Sequence, residues 1–316
     1  MFIFSRENTG VAAKWWRNVD KQILFLFIFL FFLGLFFSFS STSSVAAEKM
    51  NKQTYFFFIK HLVFVTFSIA LLVAISIQEK NNLTKLLPYL FIISLLVLSL
   101  VPLLGVEVKG SKRWMGFDPL PRFQPVELIK PLFVIFVAKI IVLNEKKDVY
   151  IRYFYSLIIL LLIVTILINQ PDLGQTFLLT LTWITMIFVS GFNMIILSVL
   201  GLSFLITIAL LIFFLPEKFG YVFLRVKTFL DPKVGDNFQS QKALEAIKQG
   251  GLTGQGMGEG ILKDKVPEAH TDYIIAVISE EFGAIFVVFI VVIFLFIGYK
   301  VLNKVFSGND EFLKLA

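Results

Sequence analysis

The chain has 316 residues, of which 57% are hydrophobic and only 16% are charged. Soluble proteins average roughly 45–50% apolar and about 25% charged residues, so this composition, with a mean hydropathy of +0.84, excludes an ordinary soluble domain. The absence of cysteine excludes a disulfide scaffold, a thiolate metal site and a cysteine nucleophile. The net charge of +7 does not indicate a nucleic-acid partner, because the basic residues are scattered between apolar runs.

Apolar runs of about 20 residues, the length of a membrane-spanning helix, recur along the chain. They predict an all-α polytopic membrane protein with about eight transmembrane helices. The predicted spans are 22–41, 55–77, 86–104, 125–143, 152–169, 173–190, 194–215 and 272–299. The first run has no A-x-A-like cleavage site and is therefore expected to remain as a helix, with Trp15 and Trp16 at the membrane interface before it.

The basic residues also predict the orientation of these spans. With the N-terminus in the cytoplasm, the inner segments hold twelve Lys and Arg residues and the short outer loops hold six. Because basic residues are enriched on the cytoplasmic side, this distribution favours both termini inside. Residues 216–271, between spans 7 and 8, then form one large extracytoplasmic loop, and loops of this length are often functional. Within the loop, QSQKALEAIKQ predicts a helix that ends at the glycine pair 250–251.

Residues 105–130 form a second polar segment, GVEVKGSKRWMGFDPLPRFQPVELIK. Its prolines predict a rigid, largely extended chain, and Pro125 marks the start of a helix. Glu127 and Lys130 then lie three residues apart on one helix face and can pair. Charged groups at membrane depth are costly and are therefore functional candidates, although Lys130 could equally snorkel from its helix end. Lys60 and Lys139, deeper in their spans, are expected to form structural pairs.

Three further features allow both a binding and a structural interpretation. The alternating glycines of GGLTGQGMGEG could present amides to a phosphate, but an irregular loop with positive φ angles is the favoured interpretation. His270 has acidic residues two positions away on either side, including Asp272, and could bind a metal; a hydrogen-bonded histidine at a helix start is favoured. Glu280 and Glu281 lie about two turns into the last span. One of them is expected to pair with Lys or Arg and the other to face water.

At these polar segments the sequence resembles the SEDS family, which comprises FtsW, RodA and SpoVE. KRWMGFDPLPRFQPVELIK resembles the G-A-x-R-W stretch that leads into F-Q-P-S-E-x-x-K, and QPDLG at 170–174 resembles the short loop before the family's sixth span. FLDPKVGDNFQ, GGLTGQGMGEG and VPEAHTDYIIAVISEEFG resemble its large external loop and the helix that follows. The matches run from about 105 to 283 in the family's order, while residues 1–104 fit by hydropathy alone. GEGILKDKVPEAHTDY is closer to the division-type FtsW branch than to the elongation-type RodA branch.

The resemblance implies a single SEDS-type domain over residues 1–316. SEDS proteins polymerise lipid II, a disaccharide-pentapeptide on undecaprenyl diphosphate, beside a class B penicillin-binding protein that crosslinks the strands. It therefore also implies the bacterial cytoplasmic membrane and, for an FtsW-like chain, the division site with other divisome membrane proteins. Two departures stand out: Val126 replaces the usual serine, and the last two of the family's ten spans have no counterpart. The sequence is thus expected to be either a piece of a longer protein or a shortened form.

The implied reaction needs a carboxylate to accept the proton of a sugar 4-hydroxyl and cations to neutralise the departing diphosphate. The resemblance places the catalytic carboxylate at Asp236, with Asp231 as runner-up because Asp231 occupies a turn where Asn serves in some relatives. Arg113 is expected to hold the diphosphate, with Trp114 as its support. The full set of substrate-binding candidates is Arg113, Trp114, Glu127, Lys130, Arg225, Gln239, His270 and Asp272, with Glu280 and Glu281 as structural residues. A divalent cation such as Mg or Mn is a further candidate for charge neutralisation, without a predicted ligand set.

Two other functions stay open from the sequence. A lipid II flippase would line a path through the membrane with Lys60, Lys130 and Lys139, and would tolerate loss of the loop carboxylates. A non-catalytic scaffold would only recruit the penicillin-binding protein. Polymerisation of labelled lipid II separates the three functions.

Overall fold

The computed structural model describes residues 10–41, 56–108, 111–116, 122–143, 148–217, 219–220, 223–224, 227, 238–266, 269 and 272–316. The helices are α1 (Val11–Asn18), α2 (Lys21–Ser41), α3 (Phe56–Ile77), α4 (Lys80–Leu104), α5 (Pro125–Leu143), α6 (Val149–Asn169), α7 (Leu173–Val189), α8 (Met194–Phe214), α9 (Phe238–Gly250), α10 (Ile274–Ser307) and α11 (Glu311–Leu315). Two strands, β1 (Val106–Val108) and β2 (Ser111–Trp114), form an antiparallel hairpin. The predicted all-α polytopic class is confirmed, and so is the predicted helix in the long loop, which is α9.

Each of the eight predicted spans corresponds to a helix. Among the described residues, six helices (α2, α3, α4, α6, α8 and α10) are long and apolar enough to cross a membrane. Of the other two, α7 has 17 residues, and α5 carries three charged side chains within its 19 residues. The number of eight spans therefore stays a prediction. The sequence did not predict α1, whose Trp15 indole donates a hydrogen bond to the Ser76 hydroxyl at 2.8 Å.

Large apolar side chains cover the outside of these helices. Phe213 and Leu103 are both 77% exposed and Ile195 is 76% exposed. Such a surface would be unfavourable in water, but it matches the hydrocarbon of a bilayer, where α-helices satisfy their own backbone hydrogen bonds. The exposed surface therefore agrees with the multi-pass membrane protein that the composition predicts.

Short polar side chains fix where several helices begin. Asp20, Asp148, Asp172 and Asn193 each accept a hydrogen bond from a backbone amide in the first turn of the helix that follows. An N-cap of this kind satisfies one of the four amides that a helix leaves unpaired, and typically contributes about 1 kcal/mol. These caps fix the starts of α2, α6, α7 and α8.

The chain divides into two compact units, and the first comprises Met1–Glu79 and Pro232–Ser307. In this unit α2 and α10 run antiparallel, since Phe29 lies 6.4 Å from Phe289 and Phe37 lies 5.6 Å from Phe286, measured between ring centroids. Helix α9 packs against the start of α10 through a small cluster of buried apolar residues. The cluster consists of Ala243, Ala246, Val266 and Ala276.

The second unit comprises Lys80–Asp231 and Gly308–Ala316. Its core is formed by α4, α5, α6 and α7, and α5 contributes Ile129, Phe133 and Val137, which are all fully buried. Helix α11 adds Phe312 to the same core. One buried hydrogen bond in this core joins two polar side chains, since the Trp183 indole donates to the Ser156 hydroxyl at 3.1 Å. The single domain predicted for 1–316 stays a prediction.

Candidate functional site

In the second unit, Arg113 on β2 organises the connection between α6 and α7. Its Nε donates to the Gln170 carbonyl at 3.4 Å, and its Nη2 donates to the Pro171 carbonyl at 2.5 Å. Its Nη1 lies 3.7 Å from the Asp172 carboxylate. Several donor groups of the guanidinium therefore bind the QPDLG loop. The sequence did not predict this structural role. Trp114 follows on the same strand and is 36% exposed.

The first two turns of α5 carry Glu127 and Lys130. The Lys130 ammonium lies 2.6 Å from the Glu127 carboxylate, so the two residues form the ion pair that their spacing allows. Gln175 on α7 donates to the other oxygen of Glu127 at 3.3 Å, and its own carbonyl oxygen is buried without a hydrogen-bond partner in the described part of the chain. Because Glu127 is half exposed while Lys130 is mostly covered, an entering anion would compete with Glu127 for the ammonium.

These contacts join into one polar chain. Asp172 contacts Arg113 and also accepts a hydrogen bond from the backbone amide of Gln175 at 3.4 Å. The side-chain amide of Gln175 donates in turn to Glu127. The chain therefore runs from Arg113 through Asp172, Gln175 and Glu127 to Lys130, and its two cations balance its two carboxylates. We call these five residues the α5–α7 polar chain. A charge-balanced group of this kind can accept a phosphate only by loosening one of its own pairs.

Val126, at the position where the resemblance leads one to expect serine, lies in the apolar core. It is 2% exposed and packs with Ile129 and Phe133. A valine at this position buries hydrocarbon without a hydroxyl that would need a partner.

In the first unit, α10 is interrupted at Gly283, whose φ is 82° and ψ is 170°. The glycine-rich loop after α9 forms backbone hydrogen bonds with the residues on both sides of this interruption. The four bonds are Gln255 N to Glu280 O at 2.9 Å, Gly256 N to Glu281 O at 3.0 Å, Ala284 N to Gly251 O at 2.9 Å and Ile285 N to Leu252 O at 3.3 Å. The groups that a helix interruption leaves unpaired are therefore satisfied by protein, as burial requires.

Glycine is needed here because two backbones approach closely. A Cβ on Gly250 would lie 1.8 Å from the Ser279 carbonyl oxygen, and a Cβ on Gly254 would lie 2.3 Å from that of Glu281. The predicted positive φ angles are present at Gly254, Gly256 and Gly258. The favoured interpretation of an irregular loop is thus confirmed, and two of its amides bind helix carbonyls.

Both glutamates of the last span are buried. Glu280 is fully buried and accepts hydrogen bonds from the Leu262 and Lys263 amides at 2.7 and 2.8 Å. Glu281 is 1% exposed; its carboxylate pairs with the Lys263 ammonium at 2.5 Å and accepts a hydrogen bond from the Ser40 hydroxyl. The predicted pairing of one glutamate with a lysine is confirmed. The prediction that the other faces water is wrong, because two loop amides replace water at Glu280.

The remaining predicted residues are either exposed or outside the described residues. Gln239, in the first turn of α9, and Asp272, just before α10, are exposed. The residues outside the described part of the chain are Arg225, Asp231, Asp236 and His270. The structure therefore leaves the assignment of the catalytic carboxylate to Asp236 as a prediction. Within the described residues, no three His, Asp or Glu side chains lie close enough to hold a metal ion.

The two deep lysines differ from expectation. Lys139 on α5 donates to the Thr84 carbonyl, so its partner is the backbone and not a carboxylate. Lys60 on α3 is exposed, and no described side chain pairs with it. An ammonium on a long flexible stem can reach a carbonyl or the membrane surface, and neither outcome has a signature in the sequence.

Three residues of these sites were not predicted from the sequence. Lys263 and Ser40 both contact Glu281, and Gln175 contacts Glu127. The one indication for Lys263 in the sequence was that a buried carboxylate needs a nearby cation, and this does not say which residue supplies it. Ser40 and Gln175 carried no signal, because both contacts join segments that are distant in the sequence.

Comparison with known proteins places these features in a family. The profile of the FtsW/RodA/SpoVE family, described as cell cycle proteins, matches residues 21–316. A probable peptidoglycan glycosyltransferase FtsW from Caulobacter vibrioides is 29% identical over 321 residues, covering 99% of this chain and 79% of the relative. The protein of the same name from Haemophilus ducreyi is 32% identical over 270 residues, covering 84% and 67%.

Solved structures show the same fold. A chain of a peptidoglycan synthase complex that coordinates polymerisation and crosslinking aligns with a TM-score of 0.70 at 22% identity, covering 95% of this chain and 82% of that one. The rod shape determining protein RodA of Thermus thermophilus aligns with a TM-score of 0.63 at 22% identity, covering 95% and 80%. With a family profile that spans nearly all of its sequence, the chain belongs to the FtsW/RodA/SpoVE family of cell cycle proteins.

Proposed function

We propose that this protein is a peptidoglycan glycosyltransferase that polymerises lipid II into glycan strands for septal wall synthesis. The observation that carries the proposal is the family match over residues 21–316, together with relatives that are named probable peptidoglycan glycosyltransferase FtsW. Its proposed location is the bacterial cytoplasmic membrane at the division site, with the N-terminus in the cytoplasm and residues 216–271 outside. The distribution of basic residues supports this orientation.

The proposed reaction is a glycosyl transfer with inversion. The 4-hydroxyl oxygen of one lipid II attacks the anomeric carbon of a second, and the bond from that carbon to the diphosphate oxygen breaks. The proton of the hydroxyl passes to a carboxylate, and the electron pair of the broken bond leaves with undecaprenyl diphosphate. Asp236 is the proposed base and Asp231 the alternative, since both lie in the loop that resembles the family's catalytic segment.

The α5–α7 polar chain supports a role in holding the leaving diphosphate. Lys130 and Arg113 are its two cations, and Lys130 is held by a half-exposed carboxylate that a stronger anion can displace. A guanidinium offers two parallel hydrogen bonds to phosphate, which an ammonium cannot reproduce. Arg225 and His270 are further proposed contacts from the loop, and a divalent cation such as Mg or Mn stays a proposal through which no step is routed.

A class B penicillin-binding protein is the proposed partner, alongside other divisome membrane proteins. A structural neighbour of this chain belongs to a complex that joins polymerisation to crosslinking. A glycosyltransferase alone yields uncrosslinked strands, so a crosslinking enzyme must act on its product.

The deciding experiment is polymerisation of labelled lipid II by the purified protein together with its penicillin-binding protein. Glycan strands on a gel support the glycosyltransferase. Movement of lipid II across vesicles without strands supports a flippase, and neither activity, with the partner still bound, supports a scaffold. Of the three lysines of the flippase hypothesis, Lys130 pairs with Glu127, Lys139 donates to the Thr84 carbonyl and Lys60 is exposed, so the assay and not these contacts separates the two functions.

Substitution of the proposed base tests the mechanism directly. Asp236→Asn should abolish polymerisation while membrane abundance and partner binding are unchanged, because an amide cannot accept the hydroxyl proton. Asp231→Asn serves as the matched control and should be milder, because Asn replaces Asp well in a turn. If Asp236→Asn polymerises normally and Asp231→Asn is inactive, Asp231 is the base.

A further inference from the structure

A cleft of about 390 Å³ lies between the start of α2 and the end of α10, within the first unit. Its lining residues are Lys21, Gln22, Phe25, Leu26, Phe296 and Lys300. The volume falls inside the roughly 300–1,000 Å³ of small-molecule sites. None of the residues that define the cleft belongs to the α5–α7 polar chain or to the glycine-rich loop, so the proposed glycosyl transfer does not use it.

The lining changes from charged to apolar along both helices in the same direction. Lys21 and Phe25 are four residues apart on α2, and Lys300 and Phe296 are four residues apart on α10. Four residues correspond to about 6 Å along a helix. Because α2 and α10 are antiparallel, both lysines lie at the same end of the cleft and both phenylalanines lie deeper. This is the order of polar and apolar groups in a phospholipid.

The two ammonium groups are held at the cleft without neutralisation by a described carboxylate. The Lys21 ammonium lies 5.3 Å from the centroid of the Trp16 ring, and the Lys300 ammonium lies 5.8 Å from that of Phe296. The nearest described acidic residue in sequence, Asp20, is already engaged, since Lys304 binds it at 2.9 Å and that hydrogen bond holds the pKa of Asp20 below its ordinary value. The cleft therefore keeps two positive charges for a ligand.

The level of the cleft in the membrane is marked by α1. This helix presents Trp15 and Trp16, which are partly buried, and tryptophan is enriched where lipid headgroups meet the hydrocarbon. The glycine-rich loop contacts the other end of the same helix pair, near Ser40. Nineteen residues of helix, or about 29 Å, separate Ser40 from Lys21, so the cleft faces the opposite side of the bilayer from that loop.

We propose that this cleft binds an anionic glycerophospholipid of the leaflet that α2 enters, with its phosphate between Lys21 and Lys300 and an acyl chain along Phe25, Leu26 and Phe296. Basic pockets between transmembrane helices on the cytoplasmic side are a recognised form of lipid site. A phosphate that carries acyl chains matches this order of groups, because the cleft offers two positive charges above an apolar wall. It is open to the bilayer, and so a lipid reaches it by lateral diffusion.

The test uses the full chain purified in detergent and titrated with phosphatidylglycerol or with phosphatidylcholine of the same acyl chains. Bound lipid is counted by native mass spectrometry, and the thermal midpoint is recorded for each mixture. The test variant is Lys21→Gln/Lys300→Gln. The matched control is Lys14→Gln/Lys85→Gln, which removes two exposed lysines that lie outside the cleft on the same predicted membrane face.

Phosphatidylglycerol should bind and raise the thermal midpoint, whereas phosphatidylcholine should not. A basic residue near an anionic lipid contributes roughly fivefold to affinity, so the test variant should lose about 30-fold and the control should not change. Four results overturn the proposal. They are unchanged binding in the test variant, an equal loss in the control, full competition by inorganic phosphate, and preferential binding of undecaprenyl phosphate.

Discussion

Lys263 is the only described cation that pairs with the buried carboxylate of Glu281, and its removal should be one of the most destabilising changes in this chain. The side chains of Lys263 and Glu281 are 10% and 0% exposed, so water cannot screen the carboxylate once the ammonium is gone. Removal of one partner of a buried ion pair costs about 3–5 kcal/mol. The backbone amide of Lys263, which binds Glu280, is retained in any variant, so Lys263→Met isolates the loss of the charge.

The measurement is the thermal midpoint of the purified protein in detergent. At about 2–4 °C per kcal/mol, Lys263→Met should lower the midpoint by on the order of 10 °C. Lys265→Met is the matched control: it changes an exposed lysine in the same short turn and should have little effect. Glu281→Gln alone should cost less than Lys263→Met, since an amide still accepts from Ser40 and carries no charge.

The double variant Lys263→Met/Glu281→Gln decides the reasoning. If the cost of Lys263→Met comes from the stranded charge, then removing that charge restores stability, and the double variant is more stable than Lys263→Met alone. Additive losses in the double variant, or a normal midpoint for Lys263→Met, would refute the argument. In that case Lys263 would be a packing residue whose ammonium is dispensable.

Three further predictions concern other parts of the structure. Arg113→Lys should lower polymerisation, and it should also lower the stability of the protein by about 1.5–3 kcal/mol, because an ammonium cannot keep all three contacts to the α6–α7 connection. Normal polymerisation by this variant would show that Arg113 has only a structural role. Gly254→Ala should be strongly destabilising because its Cβ would meet a helix carbonyl at 2.3 Å, whereas Gly258→Ala, with open space around it, should cost only about 1–2 kcal/mol for its positive φ; equal midpoints would contradict this. The Lys304 hydrogen bond lowers the pKa of Asp20, so the ionised carboxylate contributes stability above its ordinary pKa of 3.8, and this contribution is lost as the pH falls through the lower pKa of the folded state. Because the pair is at the surface, the contribution is less than about 1 kcal/mol. In acid titrations of the thermal midpoint, Lys304→Gln should remove this pH dependence.

The local features of this protein were predictable from the sequence, because they depend on short spacing. Glu127 and Lys130 lie three residues apart on a helix, and they pair. Apolar runs of the right length gave the helices, and the glycine pair at 250–251 marked the end of α9. In each case the residues that interact are neighbours in the chain, so a pattern in the sequence carries the information.

The features that the sequence did not show depend on contacts with backbone groups outside the local pattern. Arg113 stays a candidate for the diphosphate, and two of its donors also bind the carbonyls of Gln170 and Pro171, which no sequence pattern indicated. One of the two glutamates was expected to face water, yet both are buried, and two backbone amides take the place of water at Glu280. Every residue has a carbonyl and every residue except proline has an amide, so side-chain chemistry alone cannot show which of them a polar group will meet.

The interruption of α10 at Gly283 also bears on when this helix can be packed during synthesis. The part of α10 after Gly283 is apolar and long enough to enter the bilayer on its own, but the part before it carries two carboxylates that lipid would reject. Those carboxylates become acceptable only after Leu262 and Lys263 have supplied two amides and an ammonium, and Ser40 of α2 a hydroxyl. Ser40 reaches Glu281 across 241 positions of sequence. Helix α2 is therefore synthesised long before α10, and Ser40 finds its partner only when the chain has reached Glu281, so these two helices pack late.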